Sequence, residues 1–250
     1  MTLRIIFTGL VVAVTIFSNP AHADWKKLLE QTLGDNKAIG AAATSAALSN
    51  EDMVSGLKEA LANGAQSAVN ALGRSGGFMG NSAVQIPLPD KLQGVANVLK
   101  LVGQQRYTDE FVQTMNSAAE SAVPEAGAIL GDAIRQMSVE DARTILDGPD
   151  DAATQYFRRV GEERLTTKLR PIVSDATSRA GVTSSYKNLV SQAGSAASLV
   201  NSDAMDLDGY VTNKTLDGLF FMIAAEEKRI RENPAARTTE LLQKVFGAGS

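Results

Sequence analysis

Residues 208–247 read DGYVTNKTLDGLFFMIAAEEKRIRENPAARTTELLQKVFG. The pattern predicts a long apolar helix, a break at Asn233-Pro234, and a second amphipathic helix ending at Gly247. Leu216, Leu219, Ile223, Glu226 and Ile230 recur at spacings of three and four, which places them on one helix face. Four of these are apolar and the fifth is an acid. A carboxylate turned toward a core must be paired or protonated. Glu226, its neighbour Glu227 and the nearby Arg229, Arg231 and Arg237 are therefore the first polar residues to weigh. A pairing of Glu226 or Glu227 with Arg231 or Arg237 would lock the last two helices together. Otherwise one carboxylate would line a cavity as a general acid, a base or a hard-metal ligand.

At the other end, residues 1–23 have the form of an export signal. Arg4 supplies the positive start and Ile5 to Phe17 the apolar core, Pro20 breaks the helix, and Ala21-His22-Ala23 forms a small-residue cleavage site. The expected mature chain begins at Asp24 and is a soluble periplasmic protein. An uncleaved anchor is the alternative, although the apolar run is short for a membrane span. Loss of Arg4 takes the net charge from −4 to −5. Loss of His22 removes the single histidine, and the chain has no cysteine. Ser-His-Asp and Cys-His catalysis, thiol redox chemistry and most zinc or copper sites need those side chains and are excluded. A mildly acidic chain also argues against nucleic acid as a partner. No cofactor is indicated.

Between these ends the chain reads helix after helix. Residues 24–48 form an arm: Trp25, Leu28, Leu29 and Leu33 make one apolar side, and an alanine-rich run follows. Trp25 with Lys26 and Lys27 would suit weak contact with a membrane surface. From 49 to 247 a single helical domain is expected, opening on a capping box at Ser49 and Asp52. Gly73 to Gly80 (GRSGGFMG) is predicted to be the most flexible stretch, a surface loop able to act as a lid. It lacks the Gly-Lys-Ser/Thr ending of a phosphate loop. Ala83 to Pro89 reads as extended chain. Helices are predicted over 90–102, with Val102 buried, and from a Thr108 cap to Val123, where Pro124 either kinks that helix or starts the next. A second capping box falls at Ser138 and Asp141. Further helices are expected over 150–168 with Val160 inward, after Pro171, and over 183–193. The acids at 203, 206 and 208 before Gly209 do not make a calcium loop, since Ala204 and Thr215 stand where ligands belong. They read as linker and helix-cap acids, and no metal site is indicated. Asn116 and Glu120 lie one turn apart among alanines, either as a hydrogen-bonded helix contact or as part of a polar pocket shared with Glu226.

Several stretches together carry a resemblance: GLKEAL (56–61), IPLP (86–89), MNSAAESA (115–122), DARTILDG (141–148), ATQYF (153–157) and residues 210–247. They resemble a bacterial family of exported helical proteins known as domain of unknown function 4197. The resemblance implies an exported, mostly helical domain and no particular activity.

The sequence thus predicts one all-α domain of about eight to ten helices. The leading functional expectation is a non-catalytic binding or structural protein of the cell envelope that holds an apolar ligand or a protein partner. Its candidate binding residues are Asn116, Glu120, Glu226, Glu227, Arg231 and Arg237. The rival is an envelope hydrolase in which Glu226 and Glu120 are the working pair of carboxylates.

Overall fold

The computed structural model describes residues 50–199 and 205–233. Trp25, Lys26, Lys27, Ser49 and Arg237 lie outside the described residues, as do the expected export signal and the expected second C-terminal helix.

Eight α-helices and short 3-10 turns make up the described chain, with no strand among the described residues. They are α1 (Asn50–Leu72), α2 (Gln93–Leu101), α3 (Arg106–Ala122), α4 (Ala126–Gln136), α5 (Val139–Leu146), α6 (Ala152–Ala180), α7 (Val182–Gln192) and α8 (Leu207–Glu232). The all-α expectation holds. Helix α8 is central: it packs on α6, α1 and α3, while α3 also packs on α6 and α7. Its N-terminus is capped by Asp206, whose carboxylate accepts from the Gly209 N–H at 2.8 Å. The capping box that opens α5 is complete, with Asp141 N–H on Ser138 Oγ at 3.0 Å and Ser138 N–H on Asp141 Oδ2 at 3.2 Å.

Four helix readings need correction. The third helix does not wait for a Thr108 cap. Gln105 stands at its N-cap position, and its carbonyl already accepts from the N–H groups of Thr108 and Asp109. Pro171 does not open a new helix but lies inside α6. The i−4 carbonyl that loses its donor there is that of Thr167, and both residues are exposed. Buried Leu165, Leu169, Val173 and Ala176 hold the same face to the core on either side of the proline. Val160 is exposed because the buried stripe of α6 advances by fours from Phe157 through Gly161, Leu165 and Leu169. Val102 is also exposed, since α2 ends at Leu101 and the backbone turns through Gly103.

The glycine-rich segment is a plug rather than a lid. Phe78 is fully buried, with its ring against α8. At Gly77 a Cβ would fall 2.3 Å from the Leu72 carbonyl oxygen, so the chain folds back tightly over the end of α1. At Gly218 a Cβ would fall 2.7 Å from Phe78 Cε1 and 3.3 Å from Val84 Cβ. An isolated glycine within a helix often marks such a close approach. The extended chain expected from Ala83 begins only at Gln85, because Val84 still closes a turn onto the Asn81 carbonyl; beyond it Ile86 and Leu88 are buried on either side of exposed Pro87.

Substituting Gly218→Ala should therefore force Phe78 off α8 and cost about 1–3 kcal/mol in urea denaturation. An unchanged midpoint would show that the plug does not depend on this contact.

Candidate functional site

Among the described residues, two clusters of buried polar side chains are each built around a glutamate, while Thr177, Ser185, Thr212 and Thr215 are buried outside them. The first is on α3. Glu120 is 8% exposed and accepts three backbone N–H bonds from the plug: Gly76 at 3.1 Å, Phe78 at 3.0 Å and Met79 at 3.2 Å. One turn earlier, Asn116 treats the extended segment as a strand partner would. Its Oδ1 accepts from Ile86 N–H at 2.8 Å, and its Nδ2 donates to Ile86 O at 2.9 Å and to Val112 O at 2.7 Å. Alanines 118, 119 and 122 keep this part of α3 narrow. Within the irregular chain from 76 to 86, one acid and one amide thus satisfy the N–H groups of Gly76, Phe78, Met79 and Ile86 and the Ile86 carbonyl, while turn bonds such as Val84 N–H to Asn81 O satisfy others.

The second cluster lies near the end of α8. Glu227 is 6% exposed and accepts from Ala153 N–H at 2.9 Å, Thr154 N–H at 3.1 Å and Thr154 Oγ1 at 3.1 Å. It caps the N-terminus of α6. Arg231 pairs with Glu227 at 3.0 Å and donates to the Ile145 carbonyl at 2.7 Å, at the C-terminal end of α5. Each charge faces the helix end of opposite partial charge, the favourable sense on both sides.

Glu227, not Glu226, is therefore the buried acid of the α8 seam. Both positions follow Ile223 at helical spacing, so the periodicity alone could not choose between them. Glu226 is half-buried, forms an ion pair with Arg229 at 2.6 Å, and has its Cβ side facing Gly64 of α1. The structure does not bring Glu120 and Glu226 together. Glu120 holds the loop whose Phe78 covers Gly218, and Glu226 lies ~12 Å of helix rise beyond that glycine. Asn116 and Glu120 do come together, as do Glu227 and Arg231. Gly77, Gly218 and Thr154 complete these arrangements and were not singled out from sequence. The glycines flanking Phe78 and the lone glycine inside an apolar helix were the available signals.

An open cleft of about 590 Å³ lies between α7 and the start of α8, lined in part by Tyr186, Lys187, Val190, Met205, Asp206 and Asp208. Its acids are already engaged. Asp208 accepts from Thr177 Oγ1 at 2.5 Å, and Asp206 meets Arg170 at 2.5 Å. The Gly209 N–H, with Arg170 beside it, holds the Asp206 carboxyl below the usual aspartate range. Asp141 is likewise held low, chiefly by the Ser138 hydroxyl, with the Ser138 N–H and the Arg159 charge adding to it. Among the described residues no three acidic side chains converge as metal ligands would.

This is an all-α domain whose buried Asn116, Glu120 and Glu227 bond its own backbone. The chain belongs to the family described as a protein of unknown function (DUF4197), whose model matches residues 47–247. That agrees with the resemblance read from the sequence. No curated protein and no solved structure matches the chain.

Two predictions follow from the clusters. Glu227→Ala leaves a largely covered arginine and two buried helix-end N–H groups without their acceptor, and should cost ~3–5 kcal/mol. Glu226→Ala breaks a half-exposed pair and should cost under about 1 kcal/mol. Equal losses in urea denaturation would contradict the assignment of the two acids. The second prediction concerns acid. Asp141 and Asp206 titrate lower folded than unfolded, so their stabilisation is complete above the unfolded value of about 3.9 and is lost as pH falls through the depressed folded values. Ser138→Ala should cost ~1 kcal/mol at neutral pH and flatten the acid limb of a melting-temperature profile. A parallel shift at every pH would count against the capping-box origin.

Proposed function

We propose that this protein is exported to the periplasm and acts there as a non-catalytic binding or structural protein of the cell envelope. The observation that carries the reading is the employment of its buried polar groups. Glu120, Glu227, Asn116 and Arg231 all bond backbone atoms that would otherwise be orphaned. A general acid or base must instead be within reach of a substrate. The paired-carboxylate hydrolase has no support from this geometry, because Glu120 and Glu226 belong to separate neighbourhoods.

An apolar ligand beneath α8 is also poorly accommodated. Phe220 is 1% exposed, and the Arg158 guanidinium lies 4.4 Å from its ring centroid. Binding is better served by the surface, where the α7–α8 cleft combines apolar Val190 and Met205 with Lys187. Export rests on the leader pattern of residues 1–23, and no described helix is long and apolar enough to cross a membrane. The acidic net charge supports protein or small-molecule partners over nucleic acid.

Native mass spectrometry of the protein purified from a periplasmic fraction tests both parts. The expected result is a chain beginning at Asp24 that carries a non-covalent ligand or partner. A chain retaining residues 1–23 in the cytoplasm would overturn export. Hydrolysis of envelope sugars or esters that disappears in a folded Glu120→Gln variant would overturn the non-catalytic assignment.

A further inference from the structure

The turn between α2 and α3 presents two large aliphatic side chains to solvent, Leu101 at 86% and Val102 at 62% exposure. Single exposed aliphatics are ordinary on a protein surface. These two are adjacent in the turn between α2 and α3, and the backbone holds them there. Gly103 N–H bonds Lys100 O at 3.2 Å and Gln104 N–H bonds Leu99 O at 2.7 Å, while Gly103 has a φ of +72°. This is the glycine-terminated helix stop with both of its characteristic bonds. The turn's N–H groups are thus largely satisfied internally, which lowers the cost of moving it out of water.

Cations flank the pair on both sides. Lys100 precedes it and Arg106 follows, and neither forms an ion pair among the described residues. Arg106 lies 4.7 Å from the Tyr107 ring centroid and donates to its hydroxyl at 2.9 Å. The nearest acids on α3 face other groups: Asp109 accepts from the Gln105 amide and Glu110 from the Ser185 hydroxyl. An exposed aliphatic pair with a cation on either side of it in the chain and a tyrosine close by matches the layering of a lipid interface, with apolar groups deepest and cations beside the phosphates.

We propose that this turn docks the protein on an anionic lipid surface, with Leu101 and Val102 entering the acyl boundary and Lys100 and Arg106 meeting phosphate. A protein partner is the weaker fit. Two side chains fall far short of the ~800 Å² per partner that a stable protein interface buries, whereas a bilayer needs no complementary socket. The inference goes beyond the binding role proposed above and does not depend on export, because it concerns the folded surface alone.

Co-sedimentation of the full chain with vesicles tests it, using phosphatidylglycerol in phosphatidylcholine against phosphatidylcholine alone. The wild type should pellet with the anionic vesicles, and less so at high salt. The double variant Leu101→Ser with Val102→Ser should lower partitioning by about tenfold and leave the thermal melt unchanged, since both side chains are already in water. Lys100→Glu with Arg106→Glu should remove the preference for anionic lipid. Failure of the wild type to bind would overturn the proposal. So would undiminished binding by the serine variant, which would place any attachment elsewhere, as in the arm carrying Trp25. A serine variant that changes oligomeric state instead of vesicle binding would overturn it in favour of a second copy of the chain.

Discussion

A buried backbone N–H must find an acceptor, and irregular chain has no ladder to supply one. The fold meets this constraint with two carboxylates. Glu120 takes the N–H groups of Gly76, Phe78 and Met79, and Glu227 takes those of Ala153 and Thr154. Without Glu120 the segment from 76 to 80 would bury the Phe78 ring against α8 with three backbone N–H groups unmet. Without Glu227 and Arg231 the α5–α6 junction would bring two helix ends into the interior with their polar groups unmet. The plug meets α8 at Gly218 and the junction meets it at Glu227, so the two arrangements engage separate stretches of that helix.

This also explains why the polar inventory looked suggestive in the sequence. Acids and an amide among alanines and leucines are what a catalytic pocket contains, and they are equally what a helical protein needs to bury a non-helical segment. Only the partners separate the two, and here the partners are main-chain atoms. The same residue types in a cleft would have supported the opposite conclusion.

The helices were legible from their periodicity, and the Ser138–Asp141 box and the Asp206 cap from local chemistry, because each depends on residues within a turn or two. What escaped depends on distant chain. Glu226 and Glu227 are indistinguishable by spacing, and the choice is made by Gly64 on one side and the start of α6 on the other. Glycines suit loops, so the local sequence of the plug suggests mobility. Its glycines are needed instead by close approach to the Leu72 carbonyl and by Glu120, which lies over forty residues away. The local rule makes Pro171 a helix boundary, but a solvent-facing proline can remain within a helix that is packed on both sides of it. Asn116 and Glu120 were recognised as a pair, while the Ile86 and Phe78 backbones they hold were not.

The central claim is that carboxylates fasten the plug and the α5–α6 junction as parts of the core. Amide hydrogen exchange tests it directly, read at Phe78 and Met79 and at Ala153 and Thr154. The account predicts that these amides exchange as slowly as those in the middle of α3 and α8, and that Phe78 and Met79 become fast in Glu120→Gln while α8 stays protected. Rapid exchange at Phe78 and Met79 in the wild-type protein would contradict it. The segment would then be a lid, and Glu120 would be free for other work.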